Sequence, residues 1–224
     1  MKIWVDSADI EFVKKAAGTG AVFGITTYPP AVVEECGGDF VRRIQELLEV
    51  VPGPVCGQAV STDSDGIVEE GRALAKLGDR VHVKIPCDAA GITAMSRLTG
   101  EGINVAATAV NSLNKAICAI EAGVRYLMPY TAYLDSINID GASLVSEIRH
   151  IIDLDESAVE IVSCVDTPDQ FAASALAGAH AVTIVPDGFW GLFEHEPTEA
   201  AVAGFLQIWR DHYGAKNWVT GYQG

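Results

Sequence analysis

The chain has 224 residues, of which 49% are hydrophobic, and its formal net charge at pH 7 is −15. This length allows one large buried core, and no apolar run approaches the roughly 20 residues that a membrane span needs. The negative charge repels nucleic acid and anionic membranes, so we expect neither as a partner. Because the first residues read as a strand rather than a signal peptide, we expect a cytoplasmic protein.

Eight short segments rich in β-branched residues alternate with helical segments, a pattern typical of βαβ units and a parallel sheet. The predicted strands are residues 2–6, 21–27, 54–60, 80–86, 103–110, 125–131, 159–165 and 179–185. Apolar residues at helical spacing, such as Ile67, Leu74 and Leu77, predict crossover helices between them. The sequence therefore predicts an α/β fold, a single (β/α)8 TIM barrel domain over 1–224, with the barrel over about 1–190 and a C-terminal helix and tail over about 191–224.

The cysteines and histidines do not form a metal or redox motif. The cysteines are Cys36, Cys56, Cys87, Cys118 and Cys164. An odd and widely spaced set predicts neither a disulfide framework nor a C-x-x-C pair. The histidines are scattered, and Glu194-His195-Glu196 lacks the helical spacing of a zinc-binding H-E-x-x-H motif. We therefore expect no metal and no cofactor.

Polar residues are predicted at the carboxyl ends of six strands, where barrels of this type carry their catalytic groups. In the fourth strand, Val81, Val83 and Ile85 fit the outward face, and alternation then directs Lys84 into the barrel near its mouth. The same reasoning gives an inward set of Asp6, Thr26, Gln58, Lys84, Thr108 and Tyr130.

Lys84 is the candidate nucleophile. Apolar surroundings disfavour its ammonium form and lower its pKa, which leaves more neutral amine to attack a carbonyl and form a Schiff base. In the alternative, the Lys84 stem reaches from the strand end to solvent. Taken alone, Asp6 fits a helix cap or a salt-bridge partner, and Gln58, Thr108 and Tyr130 each fit hydrogen-bonded core residues.

Five motifs resemble a known family: Trp4-Val5-Asp6, Gly24-Ile25-Thr26-Thr27, Val83-Lys84-Ile85-Pro86, Ala107-Thr108-Ala109-Val110 and Pro129-Tyr130. The family is that of the transaldolase-like fructose-6-phosphate aldolases, and the resemblance runs from residue 2 to about residue 210. It implies that Lys84 carries the Schiff base and that Asp6 handles the reacting hydroxyl region of the substrate. It also implies that Gln58, Thr108 and Tyr130 hold the water used in proton transfer. Since true transaldolases usually carry a glutamate and a phenylalanine in place of this glutamine and tyrosine, the resemblance favours a lyase.

The chain departs from this family where substrate is bound. Tyr28 replaces the asparagine of the family's T-T-N-P loop, and Tyr133, Cys164 and Asp166 stand in the regions that hold its phosphate-binding residues. The expected substrate-binding residues are Thr26, Tyr28, Met128, Tyr133, Ser163, Cys164 and Asp166, with Met128 narrowing the donor pocket.

Acidic loops surround the predicted mouth. The residues are Asp63, Asp65, Asp88, Asp135, Asp140, Asp166 and Asp187, and most of them also fit helix caps that face water. With hardly a basic residue nearby, this field repels a dianionic phosphate, so we expect an acceptor that is not phosphorylated.

Three functions remain open from the sequence. The first is a class I aldolase that joins a small hydroxyketone, of the dihydroxyacetone or hydroxyacetone type, to an aldehyde. The second is a transaldolase-type transfer of a dihydroxyacetone unit between sugars. The third is a non-catalytic barrel with a binding or assembly role, which the altered Tyr28 and the missing phosphate-binding residues support.

The resemblance also implies a homo-oligomer, a ring that is a pentamer or decamer. The segment over residues 200–213 and the aromatic tail after it are expected to pack on a neighbouring subunit.

Overall fold

The computed structural model of the protein describes residues 1–214 and contains a closed barrel of parallel strands in chain order. The strands are β1 (Lys2–Asp6), β2 (Val22–Thr26), β3 (Val55–Gln58), β4 (Val81–Pro86), β5 (Val105–Val110), β6 (Tyr126–Pro129), β7 (Glu160–Val165) and β8 (Ala181–Ile184). Each strand pairs with the next, and β8 closes the sheet on β1. The predicted (β/α)8 barrel is confirmed.

Helices follow the strands as crossover connections. Within the described residues they are α1 (Ile10–Gly18), α2 (Pro29–Glu35), α3 (Phe40–Val50), α4 (Ser64–Ala75), α5 (Ala89–Gly100), α6 (Leu113–Glu121), α7 (Thr131–Ser136), α8 (Gly141–Leu154), α9 (Pro168–Leu176), α10 (Pro186–Gly191) and α11 (Glu196–Tyr213). Several begin at an aspartate whose carboxylate accepts a hydrogen bond from a first-turn N–H, as Asp9, Asp63 and Asp88 do. These caps fix where each helix starts after its strand.

The outward face of β4 packs directly beneath α5. A Cβ added to Gly91 of α5 would lie 1.9 Å from the carbonyl oxygen of Pro86 and 3.2 Å from the Ile85 side chain, so helix and strand are in backbone contact there. Val83 and Ile85 are fully buried in this layer. Since side chains alternate along a strand, Lys84 points to the other side, into the barrel, as the sequence predicts.

A packed layer fills the barrel on the amino-terminal side of the mouth. Its buried members are Trp4, Cys56, Ala106, Tyr126, Met128, Val162 and Ala181. The rings of Trp4 and Tyr126 meet edge to face with centroids 5.0 Å apart, and a Cβ on Gly24 would lie 2.8 Å from the Trp4 ring. Only glycine leaves room for that indole. Because Trp4 precedes Asp6 by two residues on the same inward face, this layer forms the floor beneath the predicted catalytic groups.

The chain divides into two compact units, Met1–Phe189 and a segment that starts at Trp190. The second unit contains α11, which follows the N-cap His195 and is closed by the C-cap Gly214, a glycine with φ 67. None of the 18 residues of α11 is buried. The aromatic tail predicted to pack on a neighbour lies at residues 215–224, outside the described residues. Within residues 1–214, no helix combines the length and the apolar character that crossing a bilayer requires.

Candidate active site

Lys84 is buried at the barrel mouth. Its side chain is 1% exposed, and its Nζ donates a hydrogen bond to the main-chain oxygen of Thr27 at 3.1 Å. The ring of Tyr28 lies beside the amine, with its centroid 5.9 Å from Nζ. The alternative of a lysine stem that reaches solvent is therefore wrong, and the ε-amine ends inside the protein.

Asp6 is held by a chain of hydroxyl groups across three neighbouring strands. The Thr26 hydroxyl donates to Asp6 Oδ1 at 2.7 Å, and the hydroxyls of Thr26 and Thr183 lie 2.7 Å apart. Because Thr26 gives its proton to Asp6, Thr183 must be the donor in the second bond. Thr183 is a residue that the sequence analysis missed, although strand alternation in β8 places it on the inward face.

The electrostatic state of Lys84 differs from the prediction. Desolvation by burial is the largest influence and lowers its pKa, but the attraction of Asp6, followed by that of Tyr130 and two thiols, outweighs it and raises the pKa above the ordinary value. Desolvation likewise raises the pKa of Asp6, against the attraction of Lys84. The expectation of a lowered lysine pKa is wrong, because it allowed for burial and not for the carboxylate in the same site.

Two thiols, those of buried Cys56 and half-buried Cys164, flank the site without adding charge at neutral pH. Desolvation by burial raises the pKa of Cys56 and of Cys164 to about 12, so both carry their protons at pH 7. All five cysteines of the chain are free. Among the groups that attract Lys84, Asp6 exerts the strongest attraction, and burial also raises the pKa of the Tyr130 phenol.

Thr108 and Tyr130 meet on the opposite side of the mouth. The Thr108 hydroxyl donates to the phenol oxygen of Tyr130 at 3.0 Å. The pairing of β5 with β6 is irregular between Ala107 and Val110, and Ala109 adopts φ 54, a left-handed conformation that is uncommon for a residue other than glycine. This local distortion follows Thr108 directly, so it helps to set the direction in which its hydroxyl points.

Gln58 completes the predicted trio without a direct bond to the other two. It lies opposite Lys84 in the β3–β4 register, and its Oε1 is buried without a hydrogen-bond partner among the described residues. A buried amide oxygen in this state has capacity for a water or a substrate hydroxyl. The geometry thus brings Asp6, Thr26 and Lys84 together, and Thr108 with Tyr130.

An open pocket of about 340 Å³ leads from solvent to this cluster. Polar or aromatic residues in its lining are Asp6, Tyr28, Tyr130, Tyr133, Ser136, Cys164 and Asp166. Four of the expected substrate-binding residues, Tyr28, Tyr133, Cys164 and Asp166, therefore lie around one cavity. Thr26 is fully buried and acts through its bond to Asp6.

Two expected substrate-binding residues lie elsewhere. Ser163 is fully buried on the outward face of β7, where its hydroxyl lies 2.5 Å from that of Thr131 in α7 and 2.9 Å from that of Ser174 in α9. The placement of Ser163 at the mouth is wrong, because it is out of phase with the inward residue Cys164. Met128 belongs to the packed floor and is fully buried, so it borders the site from below and does not line the pocket.

No cluster of three or more histidine, cysteine, aspartate or glutamate side chains suited to a metal ion occurs between residues 1 and 214. The reactive groups of the site are an amine, a carboxylate and a phenol, which surround a polar cavity. An amine of this kind attacks carbonyl carbon.

Sequence comparison places this arrangement among known proteins. The family model described as transaldolase/fructose-6-phosphate aldolase matches residues 3–213. A probable transaldolase of Symbiobacterium thermophilum is 34% identical over 210 residues, which cover 93% of this chain and 97% of that protein. Probable transaldolases of Methanococcus maripaludis and Hyphomonas neptunium are each 37% identical, over 95% and 92% of this chain and 99% and 95% of their own lengths.

Proposed function

Since the chain belongs to the transaldolase/fructose-6-phosphate aldolase family, whose members are enzymes of aldolase-type carbon–carbon bond chemistry, we propose that it is a class I aldolase in which Lys84 forms a Schiff base with a small hydroxyketone. The single observation that carries the proposal is the Lys84 amine, buried at the mouth of the barrel and next to the open pocket. The second substrate is an aldehyde that enters by the same pocket.

The bond changes balance without an external oxidant or reductant. The neutral Lys84 amine attacks the ketone carbon, the carbinolamine takes up a proton, water leaves, and a protonated iminium remains; hydrolysis at the end of the cycle returns that proton. Loss of a proton from the adjacent carbon gives an enamine, whose carbon attacks the aldehyde carbon while the aldehyde oxygen takes up a proton. Water then hydrolyses the new iminium and releases the product and the free amine.

Asp6 and Tyr130 are proposed to handle the protons of this sequence. The Thr26 hydroxyl donates to Oδ1 of Asp6 and leaves the other carboxylate oxygen available, and that oxygen orients a substrate hydroxyl or accepts its proton. Because burial raises the pKa of Tyr130, its phenol is protonated at neutral pH and acts as a donor. Thr108 fixes the phenol, and the unpaired Oε1 of Gln58 supports a water shared between them.

Lyase and transferase use the same lysine chemistry and differ in what happens to the three-carbon unit. The name of the relatives, probable transaldolase, favours transfer to a second sugar. The presence of Gln58 and Tyr130 favours release of a free ketone, since true transaldolases usually carry other residues at these places. Incubation of a ketose with the enzyme and no acceptor separates the two functions, because only a lyase yields free ketone under that condition.

The proposed acceptor carries no phosphate. Within the described residues, the pocket lining contains aromatic, small and acidic side chains but no lysine or arginine. A phosphate entering it would meet Asp166 with no cation beyond Lys84, which Asp6 already attracts. Cleavage of fructose 6-phosphate as efficient as that of an unphosphorylated ketose would contradict this part of the proposal.

Reductive trapping tests the central step. Wild-type protein is incubated with dihydroxyacetone or hydroxyacetone and borohydride, and the intact mass is measured. We expect a stable adduct on the wild type and none on Lys84→Met. Lys14→Met, which removes an exposed amine paired with Glu11, is the matched control and should retain the adduct. An adduct that survives in Lys84→Met, or that never forms on the wild type, would overturn the assignment.

We also propose that the protein forms a homo-oligomer through α11. This helix exposes large apolar side chains, among them Phe205 at 70% and Ile208 at 63%, and solvated apolar groups of this size are costly in a monomer. Sedimentation equilibrium of the wild type and of Phe205→Lys would test it. A wild type that sediments as a monomer would refute the proposal.

A further inference from the structure

The acidic residues of the mouth loops are not equivalent. Five of the seven have partners: Asp63, Asp88 and Asp140 accept first-turn N–H groups, Asp65 pairs with Arg97, and Asp135 accepts from Gly141 and Gln170. The predicted helix cap is thus confirmed for Asp63, Asp88 and Asp140, three of the seven residues. The carboxylate of Asp166 differs, because it lines the pocket and has no hydrogen-bond or ion-pair partner among the described residues.

The charge of Asp166 acts on the pocket itself. Asp166 contributes to the raised pKa of Tyr28, after desolvation, Asp6, Glu35 and Glu34, and it also raises the pKa of Asp6. The positive charge of Lys84 does not balance it, since Asp6 attracts that ammonium and the iminium formed from it keeps the same charge. One negative charge therefore remains uncompensated in a cavity of about 340 Å³.

The walls of the pocket suit an organic cation. Tyr28, Tyr130 and Tyr133 all contribute to the lining, and Tyr133 is 52% exposed. Aromatic faces attract cations, and ammonium groups with several alkyl substituents are recognised in this way. A carboxylate and aromatic rings around one cavity are the complementary surface for an ammonium group, whereas the carboxylate repels a phosphate.

We propose that this pocket selects an acceptor aldehyde that carries an ammonium group, with Asp166 as the specificity-determining counter-ion and Tyr28 and Tyr133 as its walls. The inference rests on the proposed aldolase function for the reaction itself, and on the pocket alone for the preference. Asp166 takes no part in bond making, so its removal changes which acceptor binds and leaves the Schiff base at Lys84 intact.

The first test measures binding without any reaction. Choline and 3,3-dimethylbutan-1-ol have the same shape and differ in the charge of the central atom, so their dissociation constants, measured by ligand-observed NMR, isolate the effect of charge. We expect choline to bind about two- to tenfold more tightly than the neutral alcohol. The preference should vanish in Asp166→Asn. It should persist in Asp169→Asn, which removes an exposed carboxylate of α9 outside the pocket lining.

The second test uses the matching aldehydes, trimethylammonioacetaldehyde and 3,3-dimethylbutanal, with hydroxyacetone as donor. The ratio of their kcat/KM values should favour the cation in the wild type and fall to about one in Asp166→Asn, through KM rather than kcat. Equal binding of the two alcohols by the wild type, or a preference that survives Asp166→Asn, would overturn the inference.

The two proposals fail separately. Loss of borohydride trapping at Lys84 would remove the proposed function, whatever the alcohols do. Normal trapping with no choline preference would remove only the assignment of Asp166 as a counter-ion.

Discussion

Removal of the Asp6 charge should lower the pKa of Lys84. In the wild type the attraction of Asp6 offsets desolvation and keeps that pKa above its ordinary value. Asp6→Asn preserves the shape and the hydrogen bond from Thr26 but leaves the ammonium desolvated and unpaired. An opposite charge within about 4 to 6 Å is worth about one to three pKa units, or about 1.4 to 4 kcal/mol.

The consequence is measurable at neutral pH. Well below its pKa, the neutral fraction of an amine rises tenfold for each unit by which the pKa falls, so Asp6→Asn should hold about 10 to 1000 times more free amine at pH 7. The assay is the initial rate of cyanoborohydride-trapped adduct with hydroxyacetone between pH 6 and 11, read by intact mass. The midpoint of that rate against pH reports the amine, and it should move to lower pH by the same one to three units.

Asp166→Asn is the control for this experiment. It removes a carboxylate from the same pocket, yet Asp166 is not among the groups that shift the pKa of Lys84, so the midpoint should stay in place. A midpoint in Asp6→Asn that equals or exceeds the wild-type value would refute the reasoning, because it would mean that some other group holds the ammonium.

Three further substitutions test the groups around the site. Thr183→Val should lower the free energy of unfolding, measured in urea, by about 1 kcal/mol, because it deletes the hydroxyl that lies 2.7 Å from that of Thr26. Thr183→Ser keeps a hydroxyl and should lower it less. Equal losses in the two variants would contradict the hydrogen-bond argument. Ala109→Val should destabilise the protein by about 1 to 3 kcal/mol, because a β-branched side chain fits poorly at φ 54. Ala109→Gly should change the free energy of unfolding by less than about 1 kcal/mol. Similar losses in both variants would show that backbone strain is not the cause. Arg43→Lys should speed amide hydrogen exchange in residues 28–39, because the guanidinium donates hydrogen bonds to the main-chain oxygens of Ala8 and Glu35. Unchanged protection in that segment would show that Arg43 does not hold α2 in place.

Most of the fold can be predicted from the sequence, because a barrel of this type shows only two periodicities of apolar residues, that of the strands and that of the helices. Alternating apolar residues mark the strands, and the helical spacing between them marks the crossovers. Strand ends were less accurate: residues 125–131 were predicted as a strand, but β6 ends at Pro129, Tyr130 caps α7 and Thr131 begins it. A chain leaving the barrel turns at once into the next helix, and alternation alone does not show where that turn occurs.

The alternation of side chains along the strands predicts which residues face the site, but it does not predict their electrostatics. Alternation placed Asp6, Lys84 and Thr108 on the inward face, and applied to β7 and β8 it would also have rejected Ser163 and found Thr183. The pKa of Lys84 had no such signal. Its direction depends on which charge lies across the barrel, and that is a property of the closed sheet rather than of any segment.

A raised lysine pKa does not conflict with a Schiff-base role. Attack on the ketone needs the neutral amine, so the attraction of Asp6 reduces the fraction of Lys84 that is ready to react at pH 7. Conversion of the ammonium to the protonated iminium, however, leaves the charge at the same position, and Asp6 stabilises both forms. The carboxylate therefore slows the first step but does not oppose the formation of the iminium from the resting enzyme. Asp6→Asn should accordingly speed trapping near neutral pH and yet slow turnover, since the iminium loses its counter-ion and the substrate hydroxyl loses its base. A variant that gained in both trapping and turnover would show that Asp6 only restrains Lys84.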